Sequence, residues 1–182
     1  MKPILIFDSG VGGLTVYQEV RHLLPSHNYV FASDNDAFPY GLKSDDFLTQ
    51  RVVEVMGRLI DHYDPELVVI ACNTASTIVL PLLRDRFDVD FVGVVPAIKP
   101  AAKHSKTKHL AVLATPATVA RDYTQNLIDQ YAEGCQVTLV ASSRLVSIAE
   151  QKMMGESVSQ AQIQAELTPL FELNKLDTLV LA

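Results

Sequence analysis

The chain has 182 residues, of which 48% are hydrophobic and 20% charged, and this composition suits one or two small domains with apolar cores. The formal net charge of −6 lacks the basic surplus typical of nucleic-acid-binding domains. The sequence shows neither a signal-peptide pattern nor a membrane-spanning apolar run, and its two cysteines favour a reducing compartment over a disulfide framework. We therefore expect a cytoplasmic protein without nucleic-acid or membrane partners.

Short apolar runs alternate along the chain with longer segments of helical periodicity. Most of these runs are continuous, which is typical of parallel strands covered on both faces. The predicted strands are Ile4–Phe7, Tyr29–Ala32, Leu67–Ala71, Phe91–Val95, Leu110–Ala114, Gln136–Val140 and Thr178–Leu181. The predicted helices include Asp46–Tyr63, Pro116–Tyr131, Ser143–Met153 and Ser159–Leu173, the last kinked or shortened by Pro169.

A boundary between two α/β units is predicted near Val95–Lys108. This stretch contains two prolines and a basic, polar run before the next strand. The basic run is typical of a solvated helix end and loop, and an anion site is the alternative. We predict units at residues 1–95 and 96–182, each an α/β sandwich with a mainly parallel sheet. In such sheets, functional groups lie just past the carboxyl ends of the strands.

A glycine-rich turn, IFDSGVGGLTV, follows the first predicted strand. Asp8 and Ser9 end the strand, and Gly10, Gly12 and Gly13 allow close backbone approach and leave N–H groups for an anion. The spacing differs from the dinucleotide pattern G-x-G-x-x-G, and no phosphate-loop lysine follows. A nucleotide site is therefore poorly supported, and a turn without a ligand is another interpretation.

Cys72 follows the third predicted strand and precedes Asn73, Thr74 and Ser76, which are good N-capping types. A thiol at a helix N-terminus experiences the positive end of the helix dipole, which favours the thiolate. A modest lowering from a pKa of about 8.5 gives a usable base or nucleophile at neutral pH. Because cysteines are also among the most buried residues, position alone leaves a core role equally open.

Other candidate groups are less specific. Thr115 and Thr118 follow the strand Leu110–Ala114, where two hydroxyls can bind a carboxylate or simply cap a helix. The Pro39-Tyr40-Gly41 turn closes over a site or merely connects two elements. Cys135 leads into a strand, which favours a structural role. The histidines show no metal-ligand spacing, so we predict no metal site.

Taken together, these clusters resemble the glutamate racemases of the cofactor-independent aspartate/glutamate racemase superfamily. The matching stretches run in order along the whole chain. They are Asp8-Ser9-Gly10-Val11-Gly12-Gly13-Leu14-Thr15-Val16, Pro39-Tyr40-Gly41, Ala71-Cys72-Asn73-Thr74-Ala75, and Thr115 with Thr118 ahead of Tyr123. The segments VVPAIKPA and SSRLVSIAE are also similar to that family.

The resemblance implies two pseudo-symmetric, three-layer α/β domains with the substrate between them and no cofactor or metal, and it allows a homodimer. It implies a two-thiol mechanism, in which one thiolate removes the α-proton and the opposite thiol protonates the other face. Cys72 would be the first thiol, acting on D-glutamate, with Asp8 handling its proton. Substrate binding would fall to Ser9, Pro39, Tyr40, Gly41, Asn73, Thr74, Thr115 and Thr118, with Glu150 in a supporting role.

The sequence departs from the family pattern in two places. Pro116-Ala117 stands where many members have a glycine before the second threonine. The chain ends at Ala182, where the family continues with Cys-Thr-His and the second catalytic cysteine. We therefore expect a second domain that is incomplete at its C-terminus, and a chain that is inactive alone as a racemase because one face of the substrate has no acid. An aspartate racemase, a one-cysteine lyase of the superfamily and an amino-acid-binding non-enzyme are the alternatives.

Overall fold

Two parallel β-sheets organise the chain in the computed structural model, which describes residues 1–182. They belong to two units, Met1–Val94 and Val95–Ala182. The first unit contains β1 (Ile4–Asp8), α1 (Leu14–Leu23), β2 (Tyr29–Ser33), α2 (Asp45–Tyr63), β3 (Leu67–Ile70), α3 (Asn73–Arg86) and β4 (Asp90–Gly93). Two 3₁₀ turns, Asn35–Ala37 and Tyr40–Leu42, lie between β2 and α2. The sheet order is β2-β1-β3-β4, with every pair parallel.

The first sheet is covered on both faces, which explains why β1 is apolar throughout. Leu5 and Phe7 pack into one core with residues of α2 and α3. Ile4 and Ile6 point to the other face and pack with Val16 of α1. This alternation follows from the pleat of the strand, and it places Asp8 at the carboxyl end of the central strand pair.

The second unit repeats the arrangement on a smaller scale. It contains α4 (Ile98–His104), β5 (His109–Ala114), α5 (Pro116–Ala120), α6 (Asp122–Tyr131), β6 (Gln136–Ala141), α7 (Leu145–Met153), α8 (Gln160–Phe171) and β7 (Thr178–Leu181). The parallel sheet has the order β6-β5-β7. Its central strand β5 is buried along its whole length, with apolar clusters on both faces. The predicted class of two parallel-sheet α/β domains is confirmed.

The prediction of one continuous helix over Pro116–Tyr131 is wrong. Arg121 has an extended backbone (φ −83°, ψ 141°), which separates α5 from α6. The Thr124 hydroxyl donates to the Thr118 carbonyl at 2.6 Å, and the Thr124 N–H donates to the Arg121 carbonyl. Side-chain hydrogen bonds of this kind compete with the regular helix ladder, so apolar periodicity alone does not reveal the break. Pro169 lies within α8, which ends at Phe171, two residues before the predicted end.

The basic run before β5 is held by a carboxylate of the chain itself. Asp177 accepts hydrogen bonds from the Ser105 hydroxyl (2.7 Å) and from the N–H groups of Lys106 (2.7 Å) and Thr107 (2.9 Å). These bonds hold the pKa of Asp177 well below its usual range, with the Ser105 hydroxyl as the largest cause. These three donors of the loop are therefore occupied internally, which favours a structural loop over an anion site at its backbone. None of the helices combines the length and apolar character needed to cross a lipid bilayer.

Candidate active site

The glycine-rich turn after β1 folds around the carboxylate of Asp8. The N–H of Ser9 donates to Asp8 Oδ1 at 2.8 Å, and the N–H of Gly13 donates to Oδ2 at 2.7 Å. Gly13 is the N-cap residue of α1, so the carboxylate lies at the positive end of that helix. Asp8 is only 7% exposed. The N–H groups that the glycine-rich turn offers to an anion thus bind the carboxylate of Asp8.

Cys72 lies between β3 and α3, where it is the N-cap residue of the helix. Its Sγ is 3.6 Å from the Ser9 hydroxyl oxygen, so the carboxyl ends of β1 and β3 bring the two predicted groups together. The thiol is 6% exposed and belongs to the apolar core of the first unit. The two interpretations of Cys72, a core residue and a thiol beside polar groups, therefore both describe its surroundings.

The predicted lowering of the Cys72 pKa is wrong for this structure. Burial, and after it the negative charge of Asp8, raises the pKa of Cys72 to about 12. The N–H of Ala75 and the hydroxyl and N–H of Ser9 act in the opposite direction but do not outweigh these effects. Desolvation disfavours a thiolate more strongly than the first turn of α3 favours it. Cys72 is consequently a neutral thiol at physiological pH.

The predicted Pro39–Gly41 turn is anchored in the core of the first unit. Tyr40 is 1% exposed, and its ring lies 6.4 Å from that of Phe7. Its hydroxyl donates to Asp34 Oδ2 at 2.8 Å. Arg51 of α2 binds the same carboxylate through both oxygens, at 2.8 Å and 2.6 Å. The turn is therefore more than a surface connection.

Asn73 and Thr74 follow Cys72 in the first turn of α3. Thr74 is buried, whereas Asn73 is half-buried. Ser76 has a structural role, since its hydroxyl donates to the Ile70 carbonyl at 2.9 Å and accepts from the Val94 N–H at 3.2 Å. These bonds connect α3 with the ends of β3 and β4 and so fix the start of the helix that carries Cys72.

In the second unit, Thr115 and Thr118 form a helix cap. Thr115 follows β5 as the N-cap residue of α5, and its hydroxyl accepts from the Thr118 N–H at 3.3 Å. The two hydroxyl oxygens are 3.0 Å apart, and both residues are buried. Glu150 is half-buried on α7. Cys135 precedes β6 and packs against the apolar core, at the opposite end of its strand from the polar cluster.

The sequence of the chain is similar to a known family over almost its whole length. The family described as Asp/Glu/Hydantoin racemase matches residues 12–182. The chain belongs to this family.

Several relatives in this family are glutamate racemases. The protein of Pectobacterium atrosepticum is 52% identical over 98% of this chain, and that of Shewanella denitrificans is 52% identical over the same share. The chain spans 63% and 64% of the length of these two relatives. A crystal structure of Escherichia coli glutamate racemase, in complex with L-glutamate and the activator UDP-MurNAc-Ala, has a TM-score of 0.95 and 47% identity. The match covers 100% of this chain and 69% of the Escherichia coli chain. The resemblance derived from the motifs is confirmed.

Sequence reasoning missed two residues near the site of this family member, Asp34 and Arg51. Asp34 directly follows β2, so the rule that functional groups lie at the carboxyl ends of strands could have identified it. Arg51 gave no such signal, because it lies within the long helix α2 and its partner is 17 residues away.

Replacing Gly13 with alanine is expected to destabilise the first unit by about 1–3 kcal/mol, as overpacking does in well-packed interiors. A Cβ at this position would lie 2.7 Å from Asp8 Cβ and 3.1 Å from Ala71 Cβ, so Asp8 has to move and its bonds to Ser9 and Gly13 weaken. Urea unfolding measures the effect.

Gly57→Ala is the matched control, since a Cβ there meets only Phe87 at ordinary contact distance, 3.7 Å. In the interior of α2 this control is expected to be neutral or to stabilise by about 0.4–1 kcal/mol. Equal effects of the two substitutions would contradict the assigned close approach at Gly13.

Proposed function

We propose that the chain belongs to a glutamate racemase, which interconverts L- and D-glutamate without a cofactor and supplies D-glutamate for peptidoglycan. The observation that carries this proposal is the placement of the Cys72 thiol beside Ser9 and the Asp8 charge. Close identity to glutamate racemases supports the choice of substrate. A cytoplasmic location, as predicted from composition, would keep the thiol reduced.

The proposed chemistry is proton transfer at the α-carbon of the amino acid. An α-proton is weakly acidic, so its removal needs a strong base in a site with little water. The surroundings of Cys72 suit this task, because burial makes its thiolate a strong base once it forms. We propose that Asp8 takes the thiol proton, that the thiolate then removes the α-proton of D-glutamate, and that the same thiol returns a proton when the reaction runs in reverse.

Racemisation also needs an acid on the opposite face of the carbanion. The two-thiol mechanism assigns this task to a second cysteine. Cys135 is poorly suited, because it precedes β6 and lies at the amino end of that strand, whereas Cys72 follows β3. We therefore assign one of the two acid/base groups, Cys72, and leave Cys135 out of the mechanism.

The remaining candidate residues are proposed to bind glutamate. The first unit offers hydroxyl, amide and backbone groups at Ser9, Pro39, Tyr40, Gly41, Asn73 and Thr74. In the second unit we propose Thr115 and Thr118 as donors to a carboxylate, with Glu150 in support. A homodimer is included in the proposal as one assembly open to the protein.

The test is hydrogen exchange at the α-carbon in D₂O, followed by proton NMR for each enantiomer of glutamate with the 182-residue chain. A base on one face returns a deuteron to that same face. We therefore expect D-glutamate to lose its α-proton signal with little formation of L-glutamate. Aspartate serves as the comparison substrate. Exchange of aspartate alone would indicate an aspartate racemase, and calorimetric binding of glutamate without any exchange would indicate a binding protein.

A one-cysteine lyase is the second candidate, because only Cys72 of the two cysteines follows a strand of either sheet. Such an enzyme removes CO₂ from a malonate and uses one thiol to protonate the resulting carbanion. Decarboxylation of an arylmalonate together with no exchange of glutamate would favour this candidate over the racemase.

A further inference from the structure

The carboxylate of Asp34 connects three elements at the carboxyl edge of the first sheet. Asp34 directly follows β2, and its side chain is 4% exposed. Its backbone N–H donates to the carbonyl of Asp8 at 3.1 Å, while its side chain binds the Tyr40 hydroxyl and the Arg51 guanidinium. Asp34 therefore joins the strand end that carries Asp8, the turn that carries Tyr40 and the helix α2.

The contact with Arg51 has the geometry of a strong, orienting ion pair. Nε of Arg51 donates to Oδ2 at 2.8 Å and Nη2 donates to Oδ1 at 2.6 Å. This two-point contact fixes the orientation of the carboxylate relative to the guanidinium. The guanidinium lowers the pKa of Asp34, whose carboxyl is thus charged at neutral pH. A fixed, charged acceptor then holds the Tyr40 hydroxyl in one position.

Tyr40 passes this order on to the surroundings of Cys72. The 3₁₀ turn Tyr40–Leu42 packs against α3, and the Tyr40 ring shares an apolar cluster with Cys72 and Ala75. The two side chains are close enough that a thiolate at Cys72 would raise the pKa of the Tyr40 hydroxyl. The Tyr40 ring and the Cys72 thiol therefore lie in the same part of the core of the first unit.

We propose that Asp34 and Arg51 are positioning residues, which hold Tyr40 and the Pro39–Gly41 turn against Cys72. The ion pair touches neither the thiol nor the proposed reacting atoms, and it acts through the Tyr40 hydroxyl. This inference rests on the proposed function for its catalytic meaning. The effect of the turn on access to the Cys72 thiol does not depend on which reaction the thiol performs.

The first measurement is the alkylation rate of Cys72 by iodoacetamide without substrate, with Cys135 as an internal reference in the same chain. Tyr40→Phe keeps the ion pair and removes only the hydroxyl. A hydrogen bond to a charged acceptor of this strength changes an opening equilibrium by about 10- to 100-fold when it is lost, so we expect Cys72 to react faster by that factor. Arg51→Met is expected to act in the same direction, and Arg51→Lys less strongly because lysine lacks the planar fork.

Two controls separate positioning from a general loss of stability. Arg58→Met removes an exposed i,i+4 pair with Glu54 from the same helix and is expected to leave the rate unchanged. Ile4→Val trims the core on the other face of the sheet, away from Tyr40, and shows how lowered stability alone affects the rate. The double variant Tyr40→Phe/Arg51→Met is expected to react no faster than the faster of its single variants, since both substitutions release the same turn.

The same variants are then assayed for α-proton exchange of D-glutamate. We expect a lower kcat in Tyr40→Phe and Arg51→Met, with Arg51→Lys partly restoring it. Cys72 alkylation rates that match those of the two controls, or fully additive effects in the double variant, would overturn the proposal. If the wild-type chain exchanges no glutamate but the alkylation rates shift as expected, the proposed function fails and the positioning of Cys72 stands.

Discussion

Replacing Cys72 with serine is expected to slow α-proton exchange of D-glutamate by roughly 10²- to 10⁴-fold, the usual contribution of a general acid/base group. Serine keeps the size of the side chain and its place beside the Ser9 hydroxyl, which the thiol approaches to 3.6 Å. Its hydroxyl is a far weaker acid than a thiol, so it cannot form the required base. A slower exchange in this variant would therefore indicate lost proton transfer, because the size of the side chain is nearly unchanged.

The matched control is Cys135→Ser, which changes the only other cysteine of the chain. Cys135 packs against the core at the amino end of β6, so this variant is expected to keep the exchange rate within about twofold even if its stability falls slightly. Thermal unfolding of both variants shows how much folded protein each assay contains. Exchange by Cys72→Ser at near wild-type rate, or an equal loss in both variants, would remove Cys72 from the mechanism.

The sequence predicts the sheets well because their signal is local. Continuous apolar runs mark β1, β3 and β5, and parallel pairing then brings their carboxyl ends to one edge of each sheet. This rule predicts that Asp8, Ser9 and Cys72 lie at one edge of the sheet, although 63 residues separate Ser9 from the thiol. That Asp8 lies beside Cys72 was implied by the family resemblance. The strand ends, and with them the proposed catalytic groups, could be predicted from periodicity and topology.

Properties that depend on packing density could not be predicted in this way. The helix-start pattern after Cys72 correctly indicates nearby N–H donors, but it does not reveal that the thiol is almost completely buried. Burial decides the direction of the Cys72 pKa. The break at Arg121 depends on hydrogen bonds between side chain and backbone, and the Arg51–Asp34 pair depends on where α2 lies over the sheet. These three features require the tertiary structure.

Replacing Asp8 with asparagine is expected to have opposite effects on the thiol and on catalysis. The negative charge of Asp8 raises the pKa of Cys72, so the neutral amide lowers it from about 12. Below the pKa, each unit of lowering gives about tenfold more thiolate at a given pH. Cys72 should therefore react faster with iodoacetamide at pH 8–9, as measured by peptide mass spectrometry against Cys135. Asparagine still accepts one of the hydrogen bonds from Ser9 and Gly13, which preserves the turn.

Exchange of D-glutamate by Asp8→Asn should fall by roughly 10²-fold or more, because the group proposed to accept the thiol proton is gone. A structural defect would give a different alkylation pattern, because partial unfolding exposes both cysteines. Cys135 would then also be alkylated faster, and not Cys72 alone. Asp61→Asn, at an exposed position on α2, controls for the loss of one negative charge from the unit. If Cys72 in Asp8→Asn is alkylated no faster than in the wild type, burial alone sets its pKa. If alkylation is faster and exchange is unchanged, Asp8 affects the thiol without serving as its proton acceptor.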